Sequence, residues 1–394
     1  MTRVLVAPDS FKGTFSAAEV ADAVGRGLEA AGVEADRCPI ADGGEGTMAI
    51  LVAAQGGRTQ TLTVSDPLGR PVAAAIGWID GGATAIVEMA LASGLGLVAP
   101  GERDAEAAST AGTGELIAAA VAGGARRIVV SVGGSATTDG GAGAVAAVRA
   151  AGGLRGAQLV VACDVTTPFE RAAIVYGPQK GADPAAVQRL TARLNAQAAA
   201  LPRDPRGVPM TGAAGGLAGG LWAALEAELV AGAPWVLDAL GFAQRLARAD
   251  AAVSGEGRLD RQTLEGKAVG EVAARCAAAG VPLHAIVGSS ELSADEAQAL
   301  GLASVRLAPT PADMEAAGRA LAAGLARAGS GHAATMTEPR STLGDADAPP
   351  PPEQTTEEVE RATRAADPRP KPGTSPEGRH PAAHHLGEEG QADE

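Results

Sequence analysis

The sequence predicts an α/β fold. Three observations lead there: short apolar runs alternate with longer Ala- and Leu-rich periodic segments, helix starts are legible where the periodic segments begin, and several acids fall just past the ends of the apolar runs. The 394 residues can bury a sizeable core, as two domains or one large one.

Taken in order, the chain opens on Val4–Ala7, an apolar run closed by Pro8-Asp9. It is too short for a secretory leader and reads as a strand ending at a turn. Ser16-Ala17-Ala18-Glu19 is a capping box, in which serine and glutamate side chains satisfy the free N–H groups of a helix running to about Ala31. Further strands are expected at Leu62–Val64, Ala85–Val87, Ile128–Val132, Leu159–Ala162, Ala251–Val253 and His284–Val287. Asp183-Pro184 and Thr310-Pro311 each place an N-cap before proline at the first helical position, and Ser293-Ala294-Asp295-Glu296 is a second capping box. Near Gly329 the helical pattern gives way to Pro349–Pro352, scattered acids and Gly387-Glu388-Glu389-Gly390. Residues 1–328 are therefore the expected folded core and 329–394 an expected disordered acidic, Pro-rich tail.

Composition excludes several classes. A net charge of −14 and 2% aromatic residues argue against a nucleic-acid surface, which needs clustered Lys and Arg and stacking platforms. No run approaches the ~18 apolar residues of a membrane span. Cys38, Cys163 and Cys276 are scattered and odd in number, which suits a reducing compartment, so a cytoplasmic protein is expected. His332, His380, His384 and His385 lie in the tail, which leaves His284 alone in the core and rules out a His-based triad or multi-His metal site there.

The chemistry concentrates in three features. Asp9, Glu88, Asp164 and Glu256, with Asp42 after a weaker run, stand just beyond expected strands, where open α/β sheets bind ligands. Asp also favours turns and caps for local reasons, so it is the set that points to a site. Lysine is rare: Lys12, Lys180 and Lys267 each adjoin a glycine, as expected where a compact ammonium meets phosphate, and Lys371 lies in the tail. The third feature is the loop Gly133-Gly134-Ser135-Ala136-Thr137-Thr138-Asp139-Gly140-Gly141, set between the best strand and a helix. Strand, glycine loop and helix N-terminus make an anion site of free N–H groups, with Asp139 free to hold a metal ion or cap the helix. No GxxxxGK[ST] and no clean GxGxxG occurs, so a P-loop NTPase and a standard dinucleotide fold are not supported.

The succession Pro8-Asp9-Ser10-Phe11-Lys12-Gly13, Ala41-Asp42-Gly43-Gly44-Glu45-Gly46-Thr47, the Gly133–Gly141 loop, Gly177-Pro178-Gln179-Lys180-Gly181-Ala182 and Gly255-Glu256-Gly257-Arg258-Leu259-Asp260 resembles the bacterial glycerate kinase family, glycerate 2-kinase type. Asp66-Pro67-Leu68-Gly69-Arg70 and Gly112-Thr113-Gly114-Glu115-Leu116-Ile117 are supporting blocks, in family order across residues 1 to about 328. The resemblance implies two α/β lobes with a ligand cleft between them, and transfer of the γ-phosphate of ATP, with Mg²⁺, to D-glycerate. The expected product is 2-phosphoglycerate, within glyoxylate and glycerate metabolism. ATP and glycerate are the expected partners, with no nucleic acid and no membrane; a homo-oligomer is compatible with the sequence.

Phosphoryl transfer needs in-line positioning, charge neutralisation and an acceptor for the hydroxyl proton. The expected catalytic residues are Asp42, Lys12 and Asp9, with Asp42 or Asp9 as base. Gly133, Gly134, Ser135, Thr137, Gly140, Gly141 and Lys180 are expected at the phosphates. Arg70, Arg258 and Ser10 are expected at the substrate, and Asp139 or Glu256 at the metal. Two departures from the family pattern stand out. The chain passes from Gly152-Gly153-Leu154 almost directly to Arg155-Gly156, where the family carries a few dozen further residues, and the loop Thr166-Thr167-Pro168-Phe169-Glu170-Arg171 is also shortened; Thr138 and Thr167 stand where asparagine is expected. The rival to a working kinase is a family member of impaired chemistry that binds a nucleotide or hydroxy acid, and a dehydrogenase is a weaker alternative.

Overall fold

The computed structural model describes residues 2–261, 263 and 268–334. Lys267 and its neighbour Gly266 lie outside the described residues, as does the expected tail from 335 onward; helix Pro311–Ala334 runs past Gly329.

Thirteen strands are described: β1 (Arg3–Pro8), β2 (Glu34–Arg37), β3 (Arg58–Ser65), β4 (Pro71–Ile79), β5 (Thr84–Glu88), β6 (Arg127–Ser131), β7 (Gln158–Cys163), β8 (Glu228–Ala231), β9 (Ala251–Gly255), β10 (Arg258–Leu259), β11 (Leu283–Val287), β12 (Ser289–Ser290) and β13 (Leu302–Leu307). They form two large sheets and one short pair. The first sheet is wholly parallel, in the order β13-β11-β9-β1-β2. Its order reverses direction between β1 and β9, which makes that point the topological switch where doubly wound sheets hold ligands. The second sheet, β3-β4-β5-β6-β7-β8, is antiparallel through β5 and parallel from there. β10 and β12 pair on their own. Because β3 to β8 all fall between β2 and β9 in sequence, one lobe is inserted within the other.

The parallel strands are buried on both faces, so they read as continuous apolar runs: Val4 to Ala7 and Ile128 to Val130 have no exposed surface. One apolar cluster joins the two sheets, with Leu5, Ala7 and Ala252 of the first continuous with Ile86, Val129 and Val160 of the second. Burying the larger of these, Leu5, Ile86, Val129 and Val160, contributes about 1.5–3 kcal/mol each, and the lobes share a core beneath the cleft. The Ser16 capping box closes as expected, with Ser16 Oγ accepting from Glu19 N, and the Ser293 box does the same. Asp183 caps helix Pro184–Ala200.

Candidate active site

Every approach to the cleft begins at a strand end. β1 stops at Pro8, and Asp9 N–H donates to Gly255 O, which ties the turn to the neighbouring β9. The next residues close a small loop: Phe11 N–H donates to Phe15 O, Thr14 Oγ1 donates to Phe11 O, and the buried Phe11 ring anchors it. Lys12 projects from this loop, its side chain 71% exposed, and donates to Asp42 Oδ2 at 3.2 Å. Asp42 follows β2 on a stretch still bonded to the first sheet through Ile40 N–H to Pro8 O. Its other oxygen accepts from Gly44 N–H at 2.9 Å.

Gly44 and Gly133 are one close approach of the lobes. A Cβ on Gly133 would stand 2.9 Å from Gly44 Cα, so Gly133 takes no side chain without a backbone shift there, while a Cβ on Gly44 would press on the Asp42 carboxylate at 2.8 Å. Glu88, at the end of β5, accepts from the N–H groups of Gly46 and Met48, and thereby caps helix Thr47–Ala54, whose own N-cap is a glycine. That carboxylate already occupies the helix N-terminus, so Glu88 serves the loop's conformation rather than a ligand.

Three cavities meet at the Lys12–Asp42 pair, and both residues line all three. The first, about 480 Å³, lies at the switch point and is lined by Asp9, Ser10, Glu256, Arg258 and Ser289 among others. The second, about 810 Å³, lies beyond β7 against Asp164, Thr167, Val175, Tyr176 and Gln179. The third, about 500 Å³, runs along Glu45, Gly133 and Gly134.

The electrostatics follow from this crowding. Burial, and then the Asp42 carboxylate beside it, pushes the Asp9 carboxyl up to about 7, against the opposing effect of its 2.6 Å bond from Ser10 N–H. Asp42 holds the Lys12 ammonium above its ordinary value. A carboxyl poised near neutrality beside a firmly charged ammonium can take up a proton next to a site that attracts phosphate.

The structure brings Asp9, Ser10, Lys12, Asp42, Gly133, Gly134, Glu256 and Arg258 to one cleft. It does not bring the other expected residues there. Lys180 is 1% exposed, and its ammonium donates to Ser135 Oγ at 2.8 Å and Thr137 O at 2.6 Å, which holds the far side of the glycine loop from within. Burial lowers it to about 7, with Asp139 partly offsetting that. The Ser135 hydroxyl and the Thr137 carbonyl are thereby engaged by a buried lysine, while the buried Thr137 hydroxyl has no partner. Gly140 and Gly141 pack against Gly215, Gln197 and Leu217. Asp139 accepts from Thr110 N–H and hydroxyl, Gly141 N–H and Gly143 N–H, so of its two expected roles the helix cap is the one its oxygens perform. Arg70 sits in the β3–β4 turn, paired with Asp66 at 2.6 Å and Glu102 at 3.2 Å, and lines none of the three cavities.

Several cleft residues were not singled out from sequence: Thr14, Tyr176, Gln179, Gly288 and Ser289. Gln179 had a signal in its place within the Gly177–Ala182 block; the others had none. The shortened junction falls between helix Ala142–Ala150 and β7, at the strand's start. The cleft lies at the other end of β7, roughly 17 Å away at about 3.3 Å per residue. Thr167 borders the 810 Å³ cavity and its hydroxyl bonds to that of Tyr176; Thr138 is fully buried.

The sequence profile of the glycerate kinase family matches residues 4–152 and 149–337, two stretches that meet at this junction. The chain belongs to the glycerate kinase family. It is 40% identical over 324 residues to the glycerate kinase of Bacillus subtilis, covering 73% of this chain and 85% of the relative. It is 38% identical over 302 residues to the glycerate 2-kinase of Escherichia coli, covering 67% and 79%. A crystal structure assigned to glycerate kinase 2 from Salmonella typhimurium superposes with a TM-score of 0.74 at 35% identity, over 84% of this chain and 99% of that one. Within this family frame, nothing favours the impaired alternative. No helix among the described residues is long and apolar enough to cross a membrane.

Proposed function

We propose that the protein is an ATP-dependent glycerate kinase that transfers the γ-phosphate to a hydroxyl of D-glycerate, giving 2-phosphoglycerate. The Lys12–Asp42 pair at the common wall of three cavities, beside the near-neutral Asp9 carboxyl, is the observation that carries this reading.

In the reaction the glycerate hydroxyl oxygen attacks the γ-phosphorus. The new O–P bond forms as the bond to the β,γ-bridging oxygen breaks, and that electron pair leaves with ADP. Asp9 takes the hydroxyl proton, because its carboxyl titrates near the working pH, whereas Asp42 is engaged by Lys12 and Gly44. Lys12 offsets charge on the transferring phosphoryl group, and Asp42 aims it. Gly133 and Gly134, without side chains, let the phosphates approach the backbone. Arg258 receives the glycerate carboxylate, with Ser10 nearby.

Among the described residues no group of three or more His, Cys, Asp and Glu side chains is arranged to hold a metal. Mg²⁺ in a phosphoryl-transfer site takes only one or two carboxylates and completes its shell with phosphate and water. Glu256, which lines the cleft and accepts from Thr263, is the residue to hold it; Asp139, with four donors already on its oxygens, does not fit. When bound, the ion supplies charge neutralisation on the β- and γ-phosphates.

The decisive experiment is a coupled assay of ADP release with MgATP and D-glycerate, the phosphate position being read by NMR. Turnover should require glycerate and Mg²⁺ and should vanish in Lys12→Ala with the fold intact. Folded protein that binds ATP without glycerate-dependent turnover would overturn the reading.

A further inference from the structure

Three cavities share one reactive centre, and their chemistry differs. The 480 Å³ cavity is lined by the charged groups of Asp9, Glu256, Arg258 and Asp260, a setting hostile to a heterocyclic base and suited to a small hydroxy acid. The 810 Å³ cavity is larger and holds fewer charged groups, with Lys12, Asp42 and Asp164 at its wall beside Val132, Val165, Val175 and Tyr176. Tyr176 is the chain's one tyrosine, and its hydroxyl is tied to Thr167 at 2.8 Å, so the ring is held before any ligand arrives.

Helix Ala172–Tyr176 makes the contrast sharper. Ile174 and Val175 are 45% and 48% exposed, two of the three large apolar side chains left exposed among the described residues. Val175 lines the 810 Å³ cavity, so its exposed apolar surface faces the cleft instead of the core. Gln179, one turn on, offers both a donor and acceptors, as the edge of a purine requires.

We propose that the 810 Å³ cavity takes the nucleoside of ATP, with the base against Val175 and Tyr176 and its edge toward Gln179, while the hydroxy acid takes the 480 Å³ cavity. This rests on the kinase reading above. It makes donor and acceptor converge on Lys12 and Asp42, the residues both cavities share, as in-line transfer demands.

The test is isothermal titration of wild type, Val175→Glu and Gln179→Ala with the β,γ-imido analogue of ATP and Mg²⁺, alongside KM values for ATP and glycerate. Both side chains are exposed, so the variants should fold, which their melting temperatures will verify. Val175→Glu should weaken analogue binding and raise the ATP KM by about tenfold or more, since a carboxylate under a base loses well over the ~1.4 kcal/mol that tenfold represents. Gln179→Ala should act in the same direction, and the glycerate KM should stay within about twofold in both. Unchanged nucleotide binding in both variants, or a rise confined to the glycerate KM, would overturn the assignment. Wild type that binds the analogue without glycerate-dependent turnover, with Val175→Glu binding weakly, would sink the kinase reading and leave the nucleotide site standing.

Discussion

Asp9→Asn separates two consequences of burying a carboxyl group at the end of β1. Asp9 is 8% exposed, and burial together with Asp42 moves its carboxyl from 3.8 to about 7. Between those values the folded protein keeps a proton that the unfolded chain has lost. The stability this confers is therefore complete below about pH 4 and is lost as pH rises through about 7. Above that, the ionised group costs the fold roughly 2 to 4 kcal/mol, at about 1.4 kcal/mol per pH unit and with part of the effect shared with Asp42. Asparagine still accepts from Ser10 N–H and carries no charge. At pH 8 the variant should therefore be more stable by that amount, a rise in Tm of several degrees by calorimetry, and the advantage should shrink toward zero as pH falls to about 4. In the same protein kcat should drop by about 10²- to 10⁴-fold, the usual contribution of a general base. Equal stability at pH 8 would refute the electrostatic reasoning, and near-normal turnover would refute the assignment of Asp9 as base.

Gly133→Ala places a Cβ 2.9 Å from Gly44 Cα and should lower kcat/KM by at least about tenfold in the coupled assay, with a native circular-dichroism spectrum. For Lys180→Met the pH dependence is the signature. Because burial lowers the native lysine to about 7, the folded wild type gains stability as pH rises from about 7 toward 10, and urea midpoints at pH 6.5 and 9 should show the difference between the proteins moving in the wild type's favour. Arg70→Ala should leave kcat and the glycerate KM unchanged and lower the melting temperature slightly, since its partners are Asp66 and Glu102 in a turn outside the cleft.

All seven expected runs fall within β1, β3, β5, β6, β7, β9 and β11, give or take a residue. Six of these have a parallel neighbour and are largely buried, so they read as apolar runs; β3 is an exposed antiparallel edge strand, legible only through its Leu62–Val64 segment. The strands that sequence reading missed carry weaker patterns. β2 is polar and lies at a sheet edge, β8 is short and half-buried, and β4 contains Ala73-Ala74-Ala75, which favours helix until two antiparallel neighbours claim it. Capping boxes were readable because they are local, needing only side chains three residues apart.

The cleft divides along the same line. Asp9, Lys12, Asp42 and Glu256 were legible as acids past strand ends and a rare lysine beside glycine, and the family motifs named the chemistry before any fold was seen. Which polar groups face a ligand was not legible, because that depends on partners far apart in the chain. Lys180 and Lys12 look alike in sequence, each next to a glycine, yet one is sealed against Ser135 and Thr137 while the other stands open beside Asp42. Asp139 and Glu256 likewise follow strands, and four backbone and hydroxyl donors consume the first. The sequence by itself determined the α/β class, the family and the residue types at the centre. Only the tertiary structure decided which of them line the cleft and which are tied into the scaffold, because burial and hydrogen-bond saturation are set by long-range packing.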